Sequence, residues 1–561
     1  MPDPLPPELP DRPRGFWWGS IAGIAALSVV LQARIFDRTA VPMDEGQLAV
    51  IATRILDGEV LYRDVHTGIG PGIYHFAATL FAVFGRDLVV LRCAQVAVNA
   101  AIAVLLWLVA ARIVRWHWAI LAPLAFLLLV TVAFPVLAML NYSSVALATA
   151  LASLLVFQLY LDGGRVSTGV LLGGLLAITA LTKQNYGVLV IIALFAALVM
   201  NRPDSSLKER SLAASLLPIV ASGGVIALGM SVWFLAHGAL GDLIRATLID
   251  LGSPQLEAFD NPIPSIFGAL PIDDPRFTFL YTPPTLFNHL MHGGKLFGQP
   301  ITPVVREIAI RSSYGIPIAC IVLAPAVLWV TRMGRDERRR REANATATFS
   351  AIFFLGIFPS AIWSHLAFVM PPTFLVLALL LDRCEDAVRR RVDWARPVAM
   401  GTAGVLAVVC LWGANRIGHT IQGWFPAPLD VPHATLFVTQ DQAALYRSAV
   451  DFVEECAGPD EPIFVAPDIP IVYFITGRPN PTPYELTIPG NVDGRTIIQR
   501  LENSGTRCVV YNPRMYPEFP RFEALFPDLS RYLRTRYRQA GVIAGETTQW
   551  HGLVRRMPSQ P

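Results

Sequence analysis

Charged residues are scarce in this sequence. Only 16% of its 561 residues are Asp, Glu, Lys or Arg, and 53% are hydrophobic, whereas soluble proteins carry about 25% charged residues. Two stretches, 21–32 and 118–160, contain no charge at all. Water does not tolerate so much exposed apolar surface, so the scarcity of charge excludes a soluble globular protein and predicts a chain that spans a lipid bilayer.

Cysteine and metal-ligand motifs are also lacking. The six cysteines show no CxxC spacing, which excludes the common thiol motifs. His289 and His292 form a close pair without an obvious third ligand, so we interpret them as part of a loop and not as a metal centre. The net charge is only +3, and no basic tail or basic-aromatic patch is present, which argues against a nucleic-acid partner.

Apolar runs, by contrast, are frequent. A transmembrane helix needs about 20 apolar residues, and hydropathy on that scale predicts about eleven spans. The first run lacks a small-residue cleavage site, so we interpret it as a retained span and not as a signal peptide. The two shortest runs, the fifth and the sixth, are either two spans or one re-entrant pair. The runs lie near residues 16–34, 88–111, 117–135, 143–161, 167–182, 186–200, 211–236, 308–331, 344–362, 365–381 and 397–415.

The loops between these runs predict the orientation of the chain. Lys and Arg gather in alternate loops, including an arginine run at 338–341, and loops of that kind stay in the cytoplasm. This rule places the N-terminal tail, 1–15, in the cytoplasm. The first outer loop, 35–87, the long outer loop, 237–307, and the chain from 416 onward then lie on the other face. A loop as long as 237–307 is usually functional or disordered, and we interpret it as a lid or interfacial element.

Residues 416–561 have the composition of a separate small domain. Short apolar runs alternate with helix-like stretches, which predicts an α/β domain outside the cytoplasm. Its two cysteines, Cys456 and Cys508, either form a disulfide or remain free thiols, because the sequence does not give their distance. We find no catalytic set in this domain and expect a scaffold or an acceptor-recognition module. The apolar runs are 463–466, 471–475 and 508–511, and the helix-like stretches are 442–455 and 496–503.

The most informative polar residues follow the first span directly. Asp44 and Glu45 are adjacent carboxylates, and apolar residues then recur with helical spacing between Leu48 and Leu56. A helix lying along the membrane surface is therefore expected to begin at Asp44, where the helix dipole favours negative charge. The Asp44 carboxylate either acts as a base toward a lipid-borne substrate or merely caps the helix.

The order of motifs over residues 40–95 resembles that of the GT-C glycosyltransferases. The sequence reads Asp-Glu-Gly, a helix, Leu-Asp-Gly-Glu, Leu-Tyr-Arg-Asp, a Gly/Pro turn, Leu-Phe-Ala-Val-Phe-Gly and Val-Leu-Arg. It is most similar to the protein mannosyltransferase and aminoarabinose transferase branch and to the related bacterial Rgt-type sugar transferases. The resemblance implies Asp44 as catalytic base with Glu45 as its neighbour, a sugar on a polyprenyl phosphate as donor, and an all-α polytopic membrane domain with juxtamembrane helices. Leu48 and the Gly70-Pro71-Gly72 turn depart from the usual pattern and leave the subfamily open.

Two basic residues in apolar surroundings are candidates for binding the donor phosphate. Arg92 lies near the outer end of the second span, where a charge is costly and indicates a functional site. Relatives carry an Arg at this place; the alternative is a side chain that reaches the interface for its own solvation. Lys183 lies in an outer turn between two apolar runs, where relatives often have Lys-Gln. A lysine binds phosphate as a point charge, and the alternative is an ordinary loop lysine.

Three further residues are candidates on the same face. His365 is predicted in a tight turn between two spans, and the Arg and Asp that often precede it in similar sequences are replaced here by Ser360 and Ile362. A histidine in such a turn binds substrate or is simply a satisfied structural residue. Arg63 and His66, in the first outer loop, either face the anionic donor or form a surface in contact with lipid headgroups.

Together these features predict an inverting glycosyltransferase of the bacterial inner membrane with its C-terminal domain in the periplasm. The partners are a polyprenyl-phosphate-linked sugar, a glycan, lipid or protein acceptor, and membrane lipid. No cofactor is required on this interpretation, and the need for a divalent metal stays open because one acidic pair supplies few ligands. The alternatives are a lipid-carrier transporter or flippase, which is expected to show internal repeats and mid-membrane charges, and a catalytically inactive binding member of the same fold.

Overall fold

The computed structural model describes residues 14–250, 259–296, 298–330, 336–392, 394–489, 492–517 and 519–556. The predicted cytoplasmic tail, 1–15, lies outside the described residues except for its last two positions. Within the described ranges a large helical part is followed by a small C-terminal domain that contains a sheet. The predicted fold class is therefore confirmed.

The large part is built of helices and one short hairpin. The hairpin strands are antiparallel, and they lie between the thirteenth and fourteenth helices. In chain order the elements are α1 (Arg14–Gln32), α2 (Asp44–Leu56), α3 (Gly72–Phe84), α4 (Leu88–Ile113), α5 (Trp116–Ala119), α6 (Leu121–Val132), α7 (Tyr142–Gly163), α8 (Val166–Thr182), α9 (Gln184–Asn201), α10 (Leu212–Ala236), α11 (Leu240–Ile244), α12 (Pro275–Tyr281), α13 (Pro284–Met291), β1 (Lys295–Leu296), β2 (Gln299–Pro300), α14 (Pro303–Val330), α15 (Glu337–Phe354), α16 (Trp363–Val369), α17 (Pro371–Arg389) and α18 (Ala395–Trp424).

Seven helices in the described part of the chain are long and apolar enough to cross a membrane, namely α1, α4, α7, α9, α10, α14 and α18. Helices α16 and α17 meet at an angle of 56°, and the pair counts as an eighth span if it is one broken span. Each of the eleven predicted runs coincides with a helix or a helix pair. Three of them fall short of a full span: α5–α6 and α8 are brief, and α15 begins with a charged turn. The prediction of about eleven spans thus exceeds the number that helix length and hydropathy support.

Charged side chains gather at one end of the helix bundle. Arg112, at the end of α4, pairs with Asp162 at the end of α7 (2.5 Å) and with Glu342 in the first turns of α15. Arg115 Nε lies 2.7 Å from Asp382 Oδ1, near the end of α17. These pairs bring four of the loops that were predicted to share one face to the same end of the bundle. The first outer loop and its carboxylates lie at the other end.

The C-terminal domain has one mixed sheet, a separate hairpin and five helices among the described residues. The sheet has the strand order β5-β6-β8-β7; β5 and β6 are parallel, and the other pairs are antiparallel. Strands β3 and β4 form the hairpin. The elements are β3 (Ala427–Leu429), β4 (Leu436–Val438), α19 (Gln440–Cys456), β5 (Ile463–Ala466), α20 (Ile471–Thr476), α21 (Gly494–Asn503), β6 (Cys508–Tyr511), α22 (Phe522–Leu525), α23 (Pro527–Arg536), β7 (Tyr537–Ala544) and β8 (Gln549–Arg555).

Three structural details of this region differ from, or add to, what the sequence predicts. Helix α18 continues to Trp424, past the predicted start of the domain at 416. The apolar run 471–475, which the sequence leaves open as a strand or a helix end, is helix α20; its six buried residues are too few to show a period. Cys456 and Cys508 form a disulfide with Cα atoms 5.8 Å apart, which resolves the two alternatives in favour of pairing.

The C-terminal domain shares its hydrophobic core with the juxtamembrane helices α2 and α3. Buried residues of α2 and α3 pack in one cluster with α19, α20 and β5. Phe81 of α3 stacks on Phe474 of α20 with ring centroids 5.5 Å apart. The domain is therefore docked directly on the two helices that follow the first span.

Candidate functional site

A narrow cleft, with a cavity volume of about 20 Å³, opens where α2, α3 and the start of α7 meet. Helix α2 packs along α3. Asn141 is the N-cap of α7, and its Oδ1 accepts a hydrogen bond from Ser143 N (2.7 Å). The residues that line the cleft are Asp44, Gln47, Leu48, Ile73, Tyr74, Leu140, Asn141 and Tyr142.

Asp44 is the acidic group of this cleft. Its side chain lines the cleft, where protein atoms surround the carboxyl on several sides although part of its surface stays open to solvent. Exclusion of bulk water by the surrounding protein, and secondarily the charge of Glu45, raise the pKa of the Asp44 carboxyl to about 6; no hydrogen bond from a described residue offsets them. The N-cap of α2 is Met43, and no side chain caps this helix. Asp44 therefore starts the helix without capping it, and its carboxylate is available to a substrate.

Glu45 points away from the cleft into a buried ion pair. Its side chain is 1% exposed, that of Arg92 is not exposed, and the two are bound through both carboxylate oxygens, with Arg92 Nη2 2.6 Å from Oε2. Arg92 also donates to Thr39 O (3.0 Å), and Val41 N donates to Glu45 Oε2 (3.2 Å). The guanidinium predicted to hold the donor phosphate is thus occupied by Glu45. The ion pair joins α2 to α4, and a contact of either residue with substrate stays a prediction.

Lys183 lies in the turn between α8 and α9, beside the aromatic wall of the cleft. Its Nζ donates to Ser143 Oγ (2.8 Å) and lies 3.9 Å from the ring centroid of Tyr186 and 5.2 Å from that of Tyr142. Burial is the cause that lowers the pKa of this amine to about 7. An ammonium held by rings and a hydroxyl, with no carboxylate neutralising it, is suited to receive an anion.

The turn that holds Lys183 is fastened to the Gly70-Pro71-Gly72 turn. Gln184 Nε2 donates to Gly68 O (2.8 Å), and Gly70 N donates to Gln184 Oε1 (3.2 Å). A Cβ on Gly70 would lie 2.2 Å from Leu181 O, so only glycine fits there. The Gly/Pro turn and the Lys-Gln turn noted in the sequence are therefore one structural unit at the edge of the cleft.

His365 lies in α16, and not in the predicted tight turn. Its Nδ1–H donates to Ser360 O (2.6 Å), so Nε2 carries a lone pair when the ring is neutral. The imidazole interacts electrostatically with Lys183, which places the two side chains in the same region. The long outer loop contacts this segment, since Asn261 Nδ2 donates to Ser360 Oγ (3.0 Å). A ring in that form accepts a hydrogen bond from a hydroxyl through Nε2, and the predicted contact of His365 with substrate stays a prediction.

Arg63 and His66 do not line the cleft. Arg63 is exposed, its Nη2 bonds to Asp64 Oδ2 (2.8 Å), and its Nη1 donates to His237 O (2.9 Å). His66 N donates to Pro483 O (2.7 Å), and its ring lies edge-on to a C-terminal-domain tyrosine. These two residues connect the first outer loop to neighbouring segments, and the cleft is formed without them.

The cleft also contains residues that the sequence analysis did not select. Tyr74 is buried, and its hydroxyl bonds to Thr67 Oγ1 (2.8 Å); Asn141 and Tyr142 form the opposite wall. The signal that was present is the polar run Asn141–Ser144 inside the longest uncharged stretch. Among the described residues no group of three or more His, Cys, Asp or Glu side chains is arranged to hold a metal ion.

Comparison with known proteins gives one family match. The family model described as dolichyl-phosphate-mannose-protein mannosyltransferase matches residues 68–228. This range contains the Gly/Pro turn, Arg92 and Lys183. No curated protein sequence matches the chain.

Several solved structures resemble the whole chain. The oligosaccharyltransferase of Archaeoglobus fulgidus in the apo form superposes with a TM-score of 0.51 at 12% identity, covering 98% of this chain and 75% of that one. ArnT from Cupriavidus metallidurans, solved bound to undecaprenyl phosphate, gives a TM-score of 0.48 at 14% identity over 96% and 98% of the two chains. The arabinofuranosyltransferase AftD from Mycobacteria gives 0.44 at 13% identity over 98% of this chain and 40% of that one. The family model covers less than a third of the chain, and the chain shares its fold with the archaeal oligosaccharyltransferase.

Proposed function

We propose that this protein transfers a sugar from a polyprenyl-phosphate carrier to an acceptor hydroxyl with inversion, and that Asp44 is the catalytic base. The proposal rests on the Asp44 carboxylate, which accepts no hydrogen bond from a described residue and lines the cleft. The opposite wall of the cleft contains Tyr142, and the ring of Tyr142 borders the Lys183 ammonium. The base on one side of the cleft suits the acceptor hydroxyl, and the anion-binding cation on the other side suits the carrier phosphate. The donor class follows from the matched family, whose description names a sugar on dolichyl phosphate.

Asp44 activates the acceptor. Its carboxylate, with a pKa of about 6, is mostly ionised at neutral pH yet more basic than an ordinary aspartate. It accepts the proton of the acceptor hydroxyl while the acceptor oxygen forms a bond to the anomeric carbon. The bond from that carbon to the carrier phosphate oxygen breaks, and its electron pair leaves with the phosphate. Attack from the side opposite the leaving phosphate inverts the anomeric centre.

Lys183 stabilises the leaving phosphate. The ammonium has a hydroxyl and two aromatic faces as neighbours, and a phosphate brought beside it raises the fraction of lysine that is charged. Charge that develops on the phosphate oxygens in the transition state is then met by a preorganised cation in a site with little water. His365 presents Nε2 to a sugar hydroxyl, because its Nδ1–H is committed to Ser360 O.

The reaction takes place at the face opposite the charged end of the bundle. Asp44 and Lys183 lie at the end where α2 and α3 meet the C-terminal domain, and the Arg112 and Arg115 ion pairs lie at the other end. Positive residues mark the cytoplasmic side. We therefore assign the site and the C-terminal domain to the periplasmic face of a bacterial inner membrane, where glycan, lipid or protein acceptors are accessible.

The test is a transfer assay on the purified protein in lipid. Wild type and Asp44→Asn are given a panel of polyprenyl-phosphate sugars with a membrane extract as acceptor, and the loss of sugar from the carrier is measured. We expect turnover with one sugar and a loss of about 10²–10⁴-fold in Asp44→Asn, the usual contribution of a general base. The control is Asp57→Asn, at the exposed end of the same helix, where the carboxylate only pairs with Arg86.

Two results would contradict the proposal. Full activity of a folded Asp44→Asn protein would remove the base assignment. Movement of the lipid carrier between leaflets without any release of sugar would favour a transporter.

A further inference from the structure

The N-terminal half of α2 is in direct backbone contact with the C-terminal domain. A Cβ built on Gly46 would lie 2.3 Å from Ile471 N and 2.7 Å from Ile471 Cα, so the two backbones touch with no room for a side chain. One residue before the helix cap, Pro42 O accepts a hydrogen bond from Ile471 N (3.2 Å). The first residue of α20 is thus pressed against the turn that contains Asp44.

The C-terminal half of α2 is bound to the same domain by a buried charge pair. Arg54 Nη1 bonds to Glu485, whose side chain is not exposed, and it also donates to Thr482 O (2.9 Å). Asn480 Nδ2 donates to the second oxygen of Glu485 (3.1 Å). Planar guanidinium–carboxylate contacts are directional, so this pair sets the orientation of α2 and not only its distance.

We propose that Gly46 and Arg54 are positioning residues through which the C-terminal domain holds the helix that carries Asp44 in its reactive place. The proposal rests on the proposed function, because it takes Asp44 as the base. On the membrane side α2 has the Glu45–Arg92 ion pair. Helix α2 also packs along α3, and the two further contacts hold it on the side of the C-terminal domain.

The functional consequence follows from the geometry of proton transfer. A base must lie within about 2.6–3.2 Å of the proton donor atom, and a misplacement of about 1 Å can cost about 10²-fold in rate. An added Cβ at Gly46 would begin at 2.3 Å from a backbone atom, where an ordinary contact needs more than an ångström of additional space. Helix α2 or α20 must therefore move by about the amount that catalysis does not tolerate.

The first experiment compares Gly46→Ala with Gly494→Ala in the full-length protein in lipid. Gly494 is also a helical glycine of the outer region, and a Cβ there meets its nearest atoms at 3.8 Å, an ordinary contact. We expect Gly46→Ala to lower kcat by about 10²-fold with the KM for the lipid donor unchanged, and to speed amide hydrogen exchange over 44–56. Gly494→Ala is expected to match wild type in all three measurements.

The second pair of variants acts at the other contact and replaces the first if Gly46→Ala does not fold. Arg54→Gln removes the charge that Glu485 binds, and Arg54→Lys keeps the charge but loses the planar fork. We expect faster exchange over 44–56 and a lower kcat in Arg54→Gln, with partial rescue in Arg54→Lys. A purely structural role would lower the yield of folded protein without changing kcat per folded molecule.

The outcomes separate this proposal from the proposed function. If Asp44→Asn is inactive while Gly46→Ala and Arg54→Gln keep wild-type kcat and exchange, the positioning role is refuted and the base survives. If Asp44→Asn is active, the base is refuted. Amide hydrogen exchange over 44–56 tests the positioning contacts independently of activity. Unchanged exchange in both Gly46→Ala and Arg54→Gln would refute these contacts.

Discussion

The buried pair between Arg92 and Glu45 allows the sharpest quantitative prediction. Among the described residues, Arg92 is the cation that contacts the Glu45 carboxylate, which is 1% exposed, so Arg92→Met leaves that carboxylate and Thr39 O without this partner. Breaking a buried ion pair on one side costs about 3–5 kcal/mol, because the remaining charge is buried without a partner. We expect Arg92→Met to lower the free energy of unfolding by that amount.

A double variant tests the cause of this loss. Replacing both charges by apolar groups of similar volume is often neutral, since neither charge is then left unpaired. Glu45→Leu combined with Arg92→Met should therefore recover most of the stability that Arg92→Met loses. The measurement is unfolding in detergent for wild type, both single variants and the double variant, which yields the coupling energy of the pair.

The same proteins distinguish positioning from donor binding. If Arg92 only holds Glu45, the double variant binds polyprenyl phosphate as wild type does, although its kcat falls. An Arg92→Met protein as stable as wild type would refute the assignment of the pair. A double variant that is stable but no longer binds the carrier would restore Arg92 as a phosphate ligand.

Two further predictions concern the cleft itself. The base Asp44 acts in its ionised form, and its pKa is raised to about 6, so kcat should fall as the pH drops through 6; a rate that is constant down to pH 5 would contradict an environment that disfavours the charge. Lys183→Gln should weaken binding of polyprenyl phosphate by about 10–100-fold, the value of a charge-assisted contact of about 1.5–3 kcal/mol. Lys208→Gln, at an exposed lysine, is the control for this titration, and equal affinity of the two variants would remove Lys183 from the site.

Several features of the protein could be predicted from the sequence because they depend on local pattern. Apolar runs of sufficient length locate the helices, since a bilayer requires a fixed apolar length and internal backbone hydrogen bonding. The start of α2 at Asp44 follows from helical spacing of apolar residues just after a span. The resemblance over 40–95 agrees with the family model that matches residues 68–228, and alternating short strands and helices indicated the α/β domain.

The roles of individual charges were decided by tertiary structure. Glu45 and Arg92 are 47 positions apart, and only the folded chain brings them together in a buried ion pair between α2 and α4. Lys183 and Tyr142 meet for the same reason. No local pattern contains such distances, because each depends on how helices distant in sequence cross.

The contact between α2 and the C-terminal domain shows the same division. The sequence by itself determined that Asp-Glu-Gly begins a surface helix and that a small domain follows the last span. Only the folded chain places Ile471 against Gly46 and Glu485 against Arg54, more than 400 positions away. The physical reason is that a helix period specifies which face is apolar, whereas the partner of that face depends on the packing of the whole chain.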